Sequence, residues 1–175
     1  MAEQRRQQNT NAGFSLIELI VTIIIMAVLA GSSILGVSQI MRTGVTTAAE
    51  KLVAVFEQAR YENLYLDGNV TLQLVYEEER YYALILVEKE NGGSPVTEER
   101  LREEIGDSRI TLTAVTQGGS ITDIRIAPVT IAFYKSNAAL KPADVIYSAI
   151  RVENASRKAE IALVEHTGRC FLDVE

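Results

Sequence analysis

The sequence has only one cysteine and one histidine, and it has no tryptophan. Few residues are therefore available for disulfide bonds or for nucleophilic catalysis. The single cysteine, Cys170, cannot form an intramolecular disulfide, so the protein must be held together by packing, or Cys170 must pair between chains. The single histidine, His166, lies so near in sequence that an extended chain would separate the two by about 13 Å. We therefore expect His166 to be a solvent-facing turn residue and Cys170 to be a small apolar strand residue.

The remaining composition argues against several classes of function. No Ser-His-Asp set and no phosphate-cradling glycine loop is visible, so we expect a non-enzymatic protein without a cofactor. The net charge is -6, whereas a nucleic-acid-binding surface needs a basic stripe, so no nucleic-acid partner is expected. The carboxylate runs Glu77–Glu79 and Glu98–Glu104 lack the alternating spacing of a calcium loop, so we expect a solvated turn and a polar helix face, and no metal site.

The N-terminal region changes abruptly from polar to apolar. Residues 1–13 are polar and include Arg5 and Arg6, whereas Phe14 to Val37 form an apolar run interrupted by Glu18. As a helix rising about 1.5 Å per residue, this run is about 36 Å long, enough for a hydrocarbon core of about 30 Å. The basic residues before it predict an N-terminus in the cytoplasm and a C-terminal domain outside.

Two ordinary interpretations of this segment explain only part of it. A secretory signal peptide could be cleaved after Ala30, but the apolar character continues through Val37 and Glu18 interrupts it. A plain uncleaved membrane anchor has the right length, but it does not account for Glu18 or for the sharp boundary at Gly13.

A third interpretation starts from the cost of the carboxylate. A charge at membrane depth costs several kcal/mol and is usually paired, yet no Lys, Arg or His occurs between Phe14 and Met41. Cleavage after Gly13 would create a partner, namely the new α-amine of Phe14. Glu18 could then meet the amine of its own helix or that of a neighbouring copy.

The residues Gly13-Phe14-Ser15-Leu16-Ile17-Glu18 resemble the prepilin-type processing motif of type IV pilins and pseudopilins. The resemblance implies that a prepilin peptidase cuts after Gly13 and methylates the amine of Phe14, and that Glu18 serves assembly. It also implies three further partners, namely other pilin or pseudopilin subunits, an inner-membrane assembly platform and membrane lipid. Many members have a proline within the apolar half, where this chain has the glycines and serines of residues 31–36.

Downstream, the pattern predicts an α+β fold resembling that of type IV pilins, with one long helix from Phe14 to Leu66 followed by an antiparallel sheet. Apolar residues recur at helical spacing after Thr47, and Gly68 is a plausible helix stop. The expected parts are a cleaved leader at 1–13, a transmembrane and assembly half at 14–37, an amphipathic half at 38–67 and an extracytoplasmic β-sheet domain at 68–175.

Alternation with period two predicts a hairpin at Val70–Tyr76 and Tyr81–Val87, and a short helix is expected at Thr97–Glu104. Further strands are expected at 109–116, 121–126, 129–134, 145–152, 159–165 and 169–174. Several tyrosines lie close in sequence after residue 60, and they predict either helix–sheet packing or an exposed contact surface.

Because the chain lacks paired cysteines, it resembles minor pilins, pseudopilins or a disulfide-free major pilin. The pair Ala59-Arg60 late in the helix and the ending Glu165–Arg169 are similar to the H-type minor pseudopilins, the GspH/FimT group. Some of that group bind DNA through a basic Gly-Arg-x-Arg motif, but here Phe171 replaces the second arginine. We expect a structural subunit, a minor pilin or pseudopilin, of a type IV pilus or type II secretion filament. The first alternative is an exported, membrane-anchored or secreted binding domain that does not polymerise, and the second, less favoured, is a DNA-uptake minor pilin.

Overall fold

The computed structural model of the chain describes residues 16–141 and 145–174, with the backbone alone over residues 27–43. The expected leader, Gly13 and Phe14 therefore lie outside the described residues. The chain divides into two compact units, Met1–Gln39 and Ile40–Glu175. The second unit contains two β-sheets and the C-terminal part of the helix, and it has one hydrophobic core.

The helix α1 spans Leu16–Tyr65, 50 residues, and it passes through Gly31–Gly36 and Gly44 without a break. Its end agrees with the sequence prediction to within one residue. Gly68 has φ +115, a conformation that favours glycine and turns the chain into the first strand. Within the part of the chain that the structure describes, no helix combines the length and apolar character needed to cross a membrane. The expected transmembrane half at 14–37 thus stays a prediction.

The C-terminal part of α1 is amphipathic, and its apolar stripe forms one side of the core. The buried residues recur every three or four positions, as a helix packed along one face requires. These buried residues are Val45, Ala48, Ala49, Leu52, Val55, Phe56 and Ala59. Phe56 contacts Phe133 of the sheet edge-to-face, with ring centroids 5.5 Å apart.

The first sheet, sheet A, has five antiparallel strands in the order β3-β2-β1-β6-β7. The hairpin predicted from period-two alternation is confirmed as β1 and β2, which are joined at Glu78 and Glu79, both with positive φ. The strands are β1 Asn69–Glu77, β2 Arg80–Asn91, β3 Ser94–Asp107, β6 Val129–Phe133 and β7 Leu140–Lys141.

The second sheet, sheet B, also has five antiparallel strands, in the order β10-β9-β8-β4-β5. Its strands are β4 Thr111–Thr116, β5 Ile121–Asp123, β8 Tyr147–Glu153, β9 Lys158–Val164 and β10 Arg169–Val174. The α+β class with antiparallel pairing is therefore confirmed. The expectation of one sheet is corrected, because the strands divide between two.

The short helix expected at Thr97–Glu104 is wrong, because these residues belong to strand β3. The turn between β2 and β3 contains Gly92 and Gly93, both with positive φ, which returns the chain along β2 in an antiparallel ladder. The charges that suggested a helix face form cross-strand pairs instead, such as Arg80 with Glu104. Pairing with an existing strand thus overrides the local helix propensity of the glutamates.

Candidate functional site

The first described turns of α1 expose apolar side chains on every side. The exposed fractions of the large apolar residues from Leu16 to Met26 range from 47% to 78%. A helix that is apolar all round belongs in a core, a membrane or an interface with other chains. Burying this surface would stabilise whatever assembly covers it, at about 25 cal/mol per Å² removed from water.

Glu18 is the charged residue of the first described turn of this segment. Its side chain is exposed, like those of its apolar neighbours. A carboxylate near a helix N-terminus interacts favourably with the helix dipole, by roughly 0.3–1 kcal/mol at an exposed position. No Lys, Arg or His occurs between Phe14 and Met41, so a stronger partner within this helix could only be the amine of a new N-terminus at Phe14, and any other must come from another molecule.

The C-terminal turns of α1 meet the last hairpin of the chain. The Nε of Arg60 donates to the carbonyl oxygen of Thr167 over 3.0 Å, across 107 residues of sequence. The Nη1 of Arg60 also pairs with Glu57 at 3.2 Å. The two segments that carry the H-type resemblance, Ala59-Arg60 and Glu165–Arg169, are thereby brought together.

Gly168 fixes the position of this hairpin. Its φ is +60, and its amide donates to the carbonyl oxygen of Val164 over 2.8 Å. A Cβ atom at this position would lie 1.9 Å from the carbonyl oxygen of Ala138, far inside van der Waals contact. Glycine is therefore the residue that allows the turn to pack against the chain before β7.

Cys170 and His166 do not form a nucleophilic site. His166 is an exposed turn residue, whereas the half-buried thiol of Cys170 lies 3.8 Å from a carboxylate oxygen of Glu57. Burial, and then the neighbouring carboxylate of Glu57, raise the pKa of the Cys170 thiol to about 12. A thiol with so high a pKa is protonated near neutral pH and is a poor nucleophile.

The tyrosines divide between the two roles that the sequence left open. Tyr81 is fully buried and packs on Tyr76, with ring centroids 4.7 Å apart. Tyr61 and Tyr65 are exposed on the last turns of α1, with ring centroids 4.6 Å apart. Packing thus explains the first pair, and the second pair remains on the surface.

Two polar residues that sequence analysis missed fasten the end of α1. The side-chain amide of Asn63 donates to the carbonyl oxygen of Tyr134 and its oxygen accepts from the amide of Val70. Lys135 donates to the carbonyl oxygens of Leu66 and Gly68 just beyond the helix. No local pattern marks these residues, because their partners come from distant strands.

The carboxylates in the described ranges 16–141 and 145–174 are not arranged as metal ligands. Within them, no group of three or more His, Cys, Asp or Glu side chains could hold a metal ion. Glu77, Glu98 and Glu104 pair with arginine or lysine side chains instead.

Comparison with known families identifies the N-terminal segment. Residues 8–34 match the prokaryotic N-terminal methylation motif, and the matched range contains Gly13, Phe14 and Glu18. This motif is the signature of type IV pilins and pseudopilins. It implies a structural protein with an N-terminal membrane anchor, processing by prepilin peptidase and assembly with other pilins. No curated protein and no solved structure gives a match.

Proposed function

We propose that the protein is a structural subunit of a type IV pilus or type II secretion filament, a minor pilin or pseudopilin. One observation carries this function: the methylation motif at residues 8–34 leads directly into a helix whose described turns expose apolar side chains all round. A motif that generates a methylated amine at the start of an apolar helix suits a chain that is stored in a membrane and then assembled.

In this proposal the prepilin peptidase cuts after Gly13 and methylates the amine of Phe14. Residues 14–37 hold the subunit in the inner membrane, with the C-terminal domain outside, and the assembly platform then extracts it. The apolar helices pack laterally in the filament, and residues 38–67 connect them to the domain of residues 68–175. Lipid covers the helix before assembly, and neighbouring subunits cover it afterwards.

The role of Glu18 follows from the cost of burying an unpaired charge. A carboxylate removed from water without a partner costs several kcal/mol. The Phe14 amine of a neighbouring subunit would neutralise it, so that burial of the helix depends on correct register between subunits. Glu18 would then reject misplaced neighbours as well as stabilise correctly placed ones.

The finer assignment is to the H-type minor pseudopilins, the GspH/FimT group. Its support is the contact between Arg60 and Thr167, which joins the two segments on which the resemblance rests. Phe171 stands where DNA-binding members of the group have the second arginine of their basic motif, and the acidic Asp173 follows it. Both side chains are exposed, and they favour filament assembly over DNA uptake.

The mature N-terminus tests the proposal. The full chain is expressed in membranes with and without a prepilin peptidase, and its N-terminus is determined by mass spectrometry. We expect a chain that begins at a methylated Phe14, and only when the peptidase is present. A Gly13→Leu variant serves as the control and should stay uncut. Cleavage after Ala30, or a chain that keeps Met1 in the presence of active peptidase, would indicate an exported binding domain instead.

A further inference from the structure

The described sheets have four edge strands, and three of them carry features that prevent pairing with another chain. Strands β7 and β5 have two and three residues. Strand β3 is long, but charged side chains cover it and two register shifts interrupt its pairing with β2. Short length, charge and bulges are the usual protections of a sheet edge.

The fourth edge, β10, is less protected: it is longer than β5 and β7, its pairing has no register shift, and its only charged side chains are Arg169 and Asp173. It has six residues, Arg169–Val174, and it pairs with β9 in an uninterrupted register. Phe171 stands at its centre with 59% of its surface exposed. Among the described residues, the free side of β10 receives no backbone hydrogen bond from any loop. An exposed, regular and apolar edge of this kind is a template for another strand.

The two faces of β10 differ in a way that restricts how a strand can add to it. Cys170 and Leu172 pack against the hydrophobic core, so they lie on the inner face. Arg169, Phe171 and Asp173 alternate with them and lie on the outer face. Residues directly opposite each other share a face of the sheet. An added strand must therefore place its core-facing residues opposite Cys170 and Leu172 and its outer residues opposite Arg169, Phe171 and Asp173.

We propose that β10 pairs in antiparallel fashion with β10 of a second copy of this chain, with Phe171 opposite Phe171. This register places Arg169 opposite Asp173 at both ends of the outer face, and Cys170 opposite Leu172 on the inner face. The strand is therefore complementary to itself in charge, in polarity and in the parity of its faces. The resulting contact is a two-fold interface that joins two five-stranded sheets into one of ten.

Neighbouring registers lack this complementarity. Centring the pair on Leu172 puts Phe171 opposite Asp173, and centring it on Cys170 puts Arg169 opposite Phe171. Registers that place an inner residue of one strand opposite an outer residue of the other would require one strand to turn over. Its Leu172 side chain would then face water. The register centred on Phe171 is the one that forms both ion pairs.

In a single chain, Arg169 and Asp173 are both available for these ion pairs. Within the described residues neither Arg169 nor Asp173 forms one of its own, and Asp173 lies directly opposite Glu160 of β9. Glu160 already pairs with Arg151 at 2.6 Å and with Lys158 at 3.8 Å, so these two cations are engaged with Glu160 rather than with Asp173. Like charges opposite each other are unfavourable, so the Arg169 of a second copy would relieve the unfavourable pair.

Packing on the outer face supports the same register. Direct strand partners define an apolar row across sheet B, and each pair shares a face. From β10 to β5 the row contains Phe171, Ala162, Ala149, Val115 and Ile121. Pairing at Phe171 would align the rows of two copies end to end, so that the exposed ring gains an aromatic partner.

Site-specific cross-linking of the full chain in detergent tests the register. In a Cys170→Ala background, we compare disulfide formation for Phe171→Cys, Leu172→Cys and Asp173→Cys under mild oxidant. Only residue 171 is opposite itself, so its cross-linked dimer should exceed the other two by about tenfold, because neighbouring positions are directed to other partners. Equal cross-linking at all three positions, or cross-linking of Phe171→Cys to a different protein, would overturn the proposal.

Charge reversal tests the same interface without cysteine chemistry. Arg169→Asp should lower the self-association constant by about tenfold, since it replaces two attractive pairs by two repulsive ones. Adding Asp173→Arg in the same chain should restore it, and mixing the two single variants should give heterodimers. Arg100→Asp on the β3 edge is the matched control and should change nothing. If the double variant does not restore association, the register is refuted. If a charge-reversal variant does not fold, the cross-linking comparison alone tests the register. The inference holds whether or not the chain is processed.

Discussion

Gly168 allows the close packing of the last hairpin to be measured as a free energy of unfolding. In Gly168→Ala the new Cβ would start 1.9 Å from the carbonyl oxygen of Ala138, so backbone must move by more than an ångström. The left-handed φ of +60 adds strain of roughly 1–2 kcal/mol for a residue with a Cβ. Displacing packed backbone costs a further 1–3 kcal/mol, approximately. We expect a total destabilisation of about 2–5 kcal/mol.

Two other glycines separate these contributions. Gly92 has nearly the same φ, +62, but nothing lies within 4 Å of a Cβ there, so Gly92→Ala should cost only the backbone strain. Gly118 has neither a left-handed φ nor a contact closer than 3.8 Å, so Gly118→Ala should change stability by less than about 0.5 kcal/mol. Comparing the three variants isolates the cost of the clash with Ala138.

The assay is thermal or urea unfolding of the full chain in detergent, followed by the near-ultraviolet circular dichroism of its tyrosines. For a protein of this size each kcal/mol shifts the midpoint by about 2–4 °C, so Gly168→Ala should melt at least several degrees below Gly92→Ala. If the two variants lose the same stability, the hairpin accommodates the methyl group and the close packing described for Gly168 is refuted.

Two further predictions concern single side chains. The Glu18→Ala variant should be cut after Gly13 as efficiently as the parent chain, but it should fail to enter filaments. The measurement is the fraction of mature subunit found in sheared filaments. Normal incorporation would refute the pairing of Glu18 with a Phe14 amine. Burial, and then Glu57, raise the pKa of the Cys170 thiol to about 12. At pH 8 Cys170 should therefore react with iodoacetamide at least about a hundredfold more slowly in the folded chain than in denaturant, because the loss of thiolate outweighs the greater nucleophilicity of a more basic thiolate. Glu57→Gln should increase the folded-state rate only modestly, since burial is the larger cause, and equal rates in folded and unfolded chain would contradict the burial.

Local patterns predicted the elements whose structure depends on their own residues. The alternation of Val70, Leu72 and Leu74 predicted β1, since these side chains are all buried on one face. The apolar spacing from Ala49 to Ala59 predicted the stripe of α1 that packs on the sheets. In both cases one periodicity determines which face is buried.

Other features depended on partners that no local pattern identifies. Residues 97–104 have the composition of a polar helix, but their structure is set by pairing with β2 through the turn at Gly92 and Gly93. The division into two sheets depends on which strands become neighbours over long distances in sequence. The contact between Arg60 and Thr167 was not predicted, because one residue lies on α1 and the other in the last turn. Gly13 and Phe14 were predicted from the unpaired carboxylate of Glu18 and from the processing motif.

In the proposed filament, the buried side chain of Asn63 would transmit force from α1 to sheet A. This fully buried side chain binds the carbonyl oxygen of Tyr134 after β6 and the amide of Val70 in β1, two neighbouring strands of sheet A. Tension applied along α1 would therefore pass into two strands at once through one amide group, and Lys135 would share the load at the carbonyl oxygens of Leu66 and Gly68. The two hydrogen bonds of the Asn63 side chain hold the last turn of α1 on sheet A. Both would have to break before the helix could separate from the sheet.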